Sequence, residues 1–146
     1  DILFNAGWFE LKTALELRKN QHVKEVWMNC VFADSDGHAK NEIDIVADLG
    51  LRLRFVECRT MVYDVTDRDK FRSALRNFSG TSTSGLFVTY EKPNLGTKMR
   101  YQHAVEKCKD NDIQVFNFSM WKDDRYHRLP ALIQIVDMVL TRQNKR

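Results

Sequence analysis

The sequence has little of what marks disordered, disulfide-bonded or membrane-spanning proteins. Its 146 residues include only two prolines and six glycines, which excludes collagen-like and low-complexity chains. The three cysteines, Cys30, Cys58 and Cys108, stand far apart without a CxxC pair, so we expect reduced thiols and neither a disulfide framework nor a zinc site. The longest apolar run, 131–140, is interrupted by two polar residues and falls short of the ~18 residues that cross a bilayer. We therefore predict a cytoplasmic protein without a membrane partner.

The length and composition favour a single domain. The chain is 43% hydrophobic and 29% charged, which is enough apolar material for one sizeable core. It begins at Asp1, directly in a helical pattern and without a signal peptide, so we expect residues 1–146 to be one domain excised from a longer protein. Residues 1–50 are acidic and 51–146 are basic. That asymmetry suits a protein that holds a metal with one part and phosphates with the other, although a mixed solvated surface is the commoner explanation.

An apolar stripe at helical spacing predicts a first helix over about residues 5–19, with Asn5 as its N-cap. We interpret two tryptophans, Trp8 in this helix and Trp27 in the next element, as core residues. The stripe consists of Phe4, Trp8, Leu11 and Leu15.

The rest of the pattern predicts an α/β fold with the order αβββαβαβ and a final helix. Three strands follow the first helix, joined by a turn at 34–37 and by Gly50, and strand–helix alternation takes over beyond them. A meander followed by such alternation indicates a mixed sheet with helices on both faces. The predicted strands cover about 23–33, 42–49, 51–60, 86–90 and 113–118, and the further helices cover about 67–78, a segment capped by Thr97, and 130–140.

Two neighbouring strands each carry an acid among apolar residues. A hairpin through Gly50 places Asp44 roughly opposite Glu57. Two bare carboxylates repel by about 4 kcal/mol at ~4 Å and an effective dielectric constant of ~20, so something must offset that cost. A divalent cation with oxygen ligands does so. The alternatives are that one carboxylate is protonated or that a nearby arginine neutralises the pair, namely Arg52, Arg54 or Arg59.

A third acid favours the metal site. On a helical wheel Glu10 lies at the edge of the apolar arc beside Ala14 and Leu17, whereas Glu16 points to the polar side. An acid placed against small residues and facing a sheet is costly without a partner. Taken alone, Glu10 is more often a solvated acid at a helix edge. Together with the two strand acids it predicts three carboxylates over one site.

Three short segments carry a family resemblance. In this order a helix Glu, a hairpin Asp and a Glu-x-basic strand resemble the core of PD-(D/E)xK nucleases. Their detail is similar to the nuclease domain of CRISPR ancillary nucleases, in which an N-terminal CARF sensor domain precedes the nuclease. The similar segments, within about residues 4–118, are Gly7–Glu10, Asn41–Val46 and Phe55–Thr60, followed by Leu75–Gly80 and Gly85–Val88.

The resemblance implies a restriction-endonuclease-like αβββαβ core and a metal-dependent nuclease acting on DNA or RNA in antiviral defence. It implies that Asp44, Glu57 and the backbone carbonyl of Cys58 hold Mg²⁺ or Mn²⁺, and that Glu10 orients the attacking water. It also implies a homodimer, and the apolar helix predicted over 130–140 either forms that interface or covers the sheet. An activator ligand would bind outside this chain.

Arg59 departs from the family pattern, which usually has Lys at this position. A guanidinium stays protonated and cannot act as a base, but it can still stabilise charge on a phosphate. Lys70 on the next helix substitutes only if its side chain reaches back, and a solvated helix charge is the commoner case. Two alternatives therefore stay open: a weakened or inactive nucleic-acid-binding module on the same fold, and a restriction-like DNA endonuclease unconnected with CRISPR.

Further residues are candidates for substrate contact. Arg68, Arg72 and Arg76 recur every four residues beside the apolar stripe of their helix, which predicts a row of phosphate contacts. A solvated face paired with neighbouring aspartates is the simpler explanation for each of them. Ser82 lies in the small polar loop 79–85, which is either a contact to the substrate backbone or a plain connector.

Overall fold

Helices and strands alternate along the chain largely as the sequence predicts. The computed structural model describes residues 2–33, 35–63, 65–78, 83–117 and 119. Within them, no helix is both long and apolar enough to cross a membrane. The helix predicted over 130–140 and the loop residue Ser82 lie outside the described residues. The elements are α1 (Ile2–Arg18), β1 (Glu25–Ala33), β2 (Ala39–Asp48), β3 (Leu53–Cys58), α2 (Val65–Phe78), β4 (Thr83–Thr89), α3 (Lys98–Asp110) and β5 (Ile113–Asn117).

The strands form one mixed sheet in the order β1-β2-β3-β4-β5. The first three strands make an antiparallel meander, and β4 and β5 continue the sheet in parallel with β3. Side chains of α1 pack in the core on one face, and those of α2 and α3 pack on the other. This is the predicted α/β fold with the αβββαβ order, and it brings the ends of β2 and β3 between the two helical layers.

The hairpin between β2 and β3 fixes which residues face each other. Gly50 has a φ of +95°, a conformation that only glycine adopts without strain. Its amide donates to the Asp48 carboxylate at 2.8 Å, and the turn closes on a bond from the Leu49 amide to the Arg52 carbonyl at 2.8 Å. The resulting register pairs Ile45 with Val56. A slip of one residue would turn every side chain of β3 to the opposite face.

The sheet has a buried apolar cluster on each face. Cys58 and Cys108 are buried and free, as expected, whereas the free Cys30 is only half-buried. The α1 face contains Ala14, Leu17, Ile45, Val56, Cys58, Leu86, Val88 and Phe116. The opposite face contains Ile43, Val46, Phe55, Val62, Phe71, Ala74, Phe87, Cys108 and Ile113.

The predicted core face of α1 is wrong. Trp8 is 56% exposed and Leu11 and Leu15 are also exposed, while the sheet is contacted by Ala14 and Leu17. The helix carries apolar residues on two sides, and small side chains let the backbone approach the sheet more closely than Trp8 would allow. Trp27 is also exposed, at 45%, because β1 is an edge strand whose residues alternate between the sheet interior and solvent.

Three local predictions also need correction. Glu16 does not point to a polar side: it is 6% exposed and accepts a bond from Lys19 at 2.9 Å, because the face that α1 buries is rotated from the predicted one. Asn5 is not an N-cap, since the helix already begins at Ile2. Thr97 holds the N-cap position of α3 without a side-chain cap bond. Its amide donates instead to the Asn94 side chain at 3.0 Å, a local turn that serves the same purpose.

Gly85 lets α2 lie close to the sheet. A Cβ atom built on Gly85 would lie 2.7 Å from Leu75 Cδ1 and 2.9 Å from Phe71 Cε1. Real Cβ atoms do not come that close to other carbons, so the missing side chain at Gly85 sets the distance between α2 and β4. That distance in turn positions the residues of α2 that face the ends of β2 and β3.

Candidate active site

Asp44 and Glu57 come together where β2 and β3 meet, as the hairpin register predicts. The Asp44 amide donates to Glu57 Oε1 at 3.3 Å, and the Cys58 amide donates to Asp44 Oδ2 at 2.9 Å. Each carboxylate is therefore held by the backbone of the other strand. The side chains are 15% and 5% exposed, respectively, so the two acids lie in a largely desolvated position.

The Arg59 guanidinium binds both acids. Its NH1 donates to Asp44 Oδ2 at 3.0 Å and to the Cys58 carbonyl at 2.9 Å, while NH2 lies 2.8 Å from Glu57 Oε2. Its Nε lies 3.5 Å from a carboxylate oxygen of Asp67 on α2. Of the three arginines considered from the sequence, Arg59 is therefore the one that neutralises the pair. Arg54 instead lies buried in the sheet and donates to Ser84 and Gln114.

A cavity of about 600 Å³ opens beside this cluster, between the sheet and α2. Four carboxylates and two cationic side chains line it, which is a formal excess of two negative charges when all four acids are ionised and of one when Glu57 is protonated. A pocket of this sign attracts cations and repels a phosphate that arrives without one. The lining residues are Asn41, Glu42, Ile43, Asp44, Glu57, Arg59, Asp67, Lys70, Phe71 and Ala74.

Burial and repulsion change the acidity of the cluster. Burial first, and then the neighbouring Asp44, raise the pKa of Glu57 to about 8, against the opposing influence of Arg59. Burial alone would lower the pKa of Arg59, but the carboxylates of Glu57, Asp44 and Asp67 outweigh it and raise that pKa. Arg59 therefore remains charged, while Glu57 holds its proton more strongly than an exposed glutamate.

The shift at Glu57 predicts a pH-dependent stability. Its pKa rises from an ordinary 4.5 to about 8 on folding, so between these values the folded protein keeps a proton that the unfolded chain releases. The free energy of unfolding therefore falls as the pH rises through this window. Relative to Glu57→Gln, we expect the wild-type protein to lose up to about 1.4 kcal/mol of unfolding free energy per pH unit between roughly pH 5 and pH 8. Urea denaturation in metal-free buffer measures it.

An exposed acid on the same helix provides the control for this measurement. Asp69 on α2 is exposed, and Asp69→Asn should give a stability curve parallel to that of the wild type. The unfolding free energy of the wild type minus that of Glu57→Gln should fall as the pH rises. A value that stays constant, or that increases with pH, would contradict a raised pKa at Glu57.

Glu10 lies within the electrostatic range of the cluster without lining the cavity. Burial, repulsion by Asp44 and repulsion by Glu42 raise its pKa, while Arg59 acts in the opposite direction. The middle of α1 packs beside the end of β4, because the Phe9 ring lies edge-on against Tyr90 with centroids 4.8 Å apart. Among the described residues, however, no three His, Cys, Asp or Glu side chains are grouped to hold a metal ion.

The atoms that converge on Arg59 have the chemistry of a magnesium or manganese site. Two carboxylate oxygens and one backbone carbonyl oxygen are the ligand types that these cations prefer. Burial raises the pKa of the Cys58 thiol, so the thiol stays protonated and the residue contributes only its carbonyl oxygen. One guanidinium contacts all three oxygens, two of them through NH1 and the third through NH2.

The residues predicted to contact the substrate are placed less favourably. Arg68, Arg72 and Arg76 do not line the cavity, and Arg68 acts electrostatically on Cys108 of α3, which places it on that side of α2. Their contact with phosphates stays a prediction. Lys70, interpreted from the sequence as a solvated helix charge, is exposed and also lines the cavity.

Asp67 was missed as a site residue, although a signal for it exists in the sequence. Asp67, Lys70 and Phe71 occupy positions i, i+3 and i+4 of α2, so they share the helix face that the apolar stripe turns toward the sheet. Asp67 and Lys70, at the polar end of that stripe, line the cavity, whereas the neighbouring row of arginines does not. Extending the apolar stripe by one turn toward the start of the helix would have found Asp67.

The fold and the site together define an α/β domain with a five-stranded mixed sheet flanked by helices, in which Asp44 from the middle of β2 lies beside Glu57 near the end of β3. Structural comparison agrees on the fold. Can2 from Sulfobacillus thermosulfidooxidans, in complex with cyclic tetra-adenylate, matches with a TM-score of 0.60 and 23% identity over 77% of this chain. Protein VC1899 from Vibrio cholerae matches with a TM-score of 0.64 and 13% identity over 97% of the chain. AF1548, a protein of unknown function, matches with a TM-score of 0.56 and 15% identity over 80%.

These are similarities of fold, and each covers only part of the neighbouring protein. The chain spans about a third of Can2 and of VC1899, at 32% and 34%, and 60% of AF1548. No protein-family model matches the sequence, and no curated protein matches it.

Proposed function

We propose that this chain is a nuclease domain that hydrolyses phosphodiester bonds of nucleic acid with Mg²⁺ or Mn²⁺. The observation that carries the proposal is the convergence of Asp44 Oδ2, Glu57 Oε2 and the Cys58 carbonyl oxygen on one cationic group beside an open, acidic cavity. Keeping two desolvated carboxylates side by side lowers stability. A divalent cation bound between the two carboxylates would offset their repulsion.

In this proposal Asp44, Glu57 and the Cys58 carbonyl hold the cation. When bound, a divalent cation makes a water nucleophilic near neutral pH and offsets negative charge that develops on the phosphate. Glu10 accepts a hydrogen bond from the attacking water, because it is an acid of α1 whose pKa is raised by burial and by the charge of Asp44. Arg59 and Lys70 supply positive charge to the phosphate from the cavity wall.

The biological setting that we propose is CRISPR-linked antiviral defence. The segments around Glu10, Asp44 and Glu57 resemble CRISPR ancillary nucleases, and the similarly folded Can2 binds cyclic tetra-adenylate in its solved structure. Since this chain spans 32% of Can2, we place any activating ligand outside the chain. A homodimer is part of the same proposal.

Cleavage assays with several nucleic acids test the nuclease function. We expect the wild-type protein to cut at least one of single-stranded DNA, single-stranded RNA and duplex DNA with Mn²⁺, and to lose that activity in EDTA. Cutting of duplex DNA alone would favour the restriction-like alternative. Activity that persists undiminished in EDTA would overturn the metal-dependent mechanism.

A second function is favoured by Arg59 itself. A permanently charged guanidinium already neutralises the acids, so a chain that has lost catalysis could still bind nucleic acid on the same fold. For this function we expect oligonucleotide binding by fluorescence anisotropy, without cleavage under any metal. Cleavage that requires Asp44 rules it out.

A further inference from the structure

The Arg59 guanidinium lies between the three oxygens that are proposed to hold the divalent cation. NH1 is the atom that contacts both Asp44 Oδ2, at 3.0 Å, and the Cys58 carbonyl oxygen, at 2.9 Å. NH2 contacts Glu57 Oε2 at 2.8 Å. A cation bound to these oxygens would take the volume of the guanidinium, and like charges at that distance repel strongly. The two cations therefore cannot be bound together at this position.

The surroundings offer Arg59 another partner. Its side chain is 33% exposed and lines the open cavity, whereas Glu57 behind it is 5% exposed. A guanidinium forms bidentate hydrogen bonds to phosphate oxygens, as it does to the oxygens of a carboxylate. Arg59 can thus exchange its buried carboxylates for a phosphate at the cavity mouth without losing a charged partner.

We propose that Arg59 is a built-in occupant of the cation position and that a nucleic-acid phosphate draws it away, so that divalent cation and phosphodiester backbone bind cooperatively. This inference rests on the proposed function, whose metal site it regulates. Without nucleic acid the acids are held by Arg59 and the affinity for the divalent cation is low. With a backbone phosphate on Arg59, the three oxygens become available to the cation. Linkage requires the reverse effect as well: the cation strengthens binding of the nucleic acid.

Calorimetric titration with Mn²⁺ tests the competition. The variant Arg59→Met removes the guanidinium and keeps an apolar stem of similar length. We expect it to bind Mn²⁺ at least about tenfold more tightly than the wild type in the absence of nucleic acid. The matched control is Lys70→Met, which removes one positive charge from the same cavity without freeing the three oxygens, and its affinity should change much less.

The cooperativity is tested with a short 2′-O-methyl phosphorothioate oligonucleotide, which resists hydrolysis, after subtraction of Mn²⁺ binding to the oligonucleotide alone. In the wild type, the oligonucleotide should increase the Mn²⁺ affinity within the roughly 5- to 150-fold range usual for linked sites. In Arg59→Met this increase should disappear. Equal Mn²⁺ affinities in wild type and Arg59→Met, or an increase that survives in Arg59→Met, would overturn the inference.

The two proposals fail in different ways. If the wild type cleaves nucleic acid with Mn²⁺ but Arg59→Met binds the cation no more tightly, the competition is wrong and the nuclease function stands. If the wild type neither binds Mn²⁺ nor cleaves, while Arg59→Met binds it, the competition is supported and the chain is a binding module that Arg59 keeps free of metal.

Discussion

Replacing Asp44 by Asn is expected to lower Mn²⁺-dependent cleavage by about 10²–10³-fold or more, because the change removes a charged ligand from the centre of the site. Asp44 Oδ2 receives both the Cys58 amide and the Arg59 guanidinium, and an Asn oxygen can still accept from the amide. The loss should therefore fall on catalysis more than on folding. Initial rates on the preferred substrate, together with thermal melting of both proteins, measure it.

Glu57→Gln should have an effect of the same size, since Glu57 is the second acid on the same guanidinium. The matched control is Asp69→Asn, which makes the same chemical change on an exposed acid of α2 and should leave the rate within about twofold, as surface changes generally do. If Asp44→Asn and Glu57→Gln both melt like the wild type and still cleave at the wild-type rate, the chemistry lies elsewhere on the molecule.

The second large effect is expected at Gly85. A Cβ there would meet Leu75 at 2.7 Å and Phe71 at 2.9 Å, so Gly85→Ala must push α2 away from the sheet or force both side chains from their preferred rotamers. We expect a loss of about 1–3 kcal/mol of unfolding free energy from this overpacking. Cleavage should fall with it, because Asp67 and Lys70 of the displaced helix line the cavity. Urea denaturation and cleavage rates on the same preparation measure both effects.

Gly7 provides the control for the same substitution. It lies in α1, and a Cβ built on it meets no atom within 4 Å. Gly7→Ala should therefore leave the protein as stable as the wild type or raise its stability by up to about 1 kcal/mol, since alanine favours a helix. Equal free energies of unfolding for Gly85→Ala and Gly7→Ala would show that α2 can move away from β4 at little cost. The position of α2 would then not depend on the glycine.

The sequence left three ways to relieve the repulsion between Asp44 and Glu57, and the structure contains two of them. The acid pair could be relieved by protonation, by an arginine or by a metal ion. Glu57 has a pKa raised to about 8, and Arg59 bridges the two acids at 2.8–3.0 Å. These effects relieve the repulsion without a cation. They also explain why the site tolerates two desolvated carboxylates before any metal binds.

The failures of prediction concentrate in α1. Its apolar residues lie on more than one side of the helix, and the periodicity alone favoured the larger side chains, Trp8 among them. The structure buries Ala14 and Leu17 instead, together with Glu16. Packing against a sheet selects for a close approach of the backbones, and a helical wheel does not contain that information. The same rotation decides how Glu10 faces the site.

The sequence by itself determined the αβββαβ order, the mixed sheet and the meeting of Asp44 with Glu57. These features depend on local signals: the period of the apolar residues, and the glycine turn at Gly50, which fixes the register of β2 with β3. Only the tertiary structure decided that the Arg59 guanidinium holds the oxygens predicted for a metal, and that Asp67 of α2 joins it. A side chain that reaches across strands and helices responds to the sum of surrounding charges, and that sum exists only once the chain is folded.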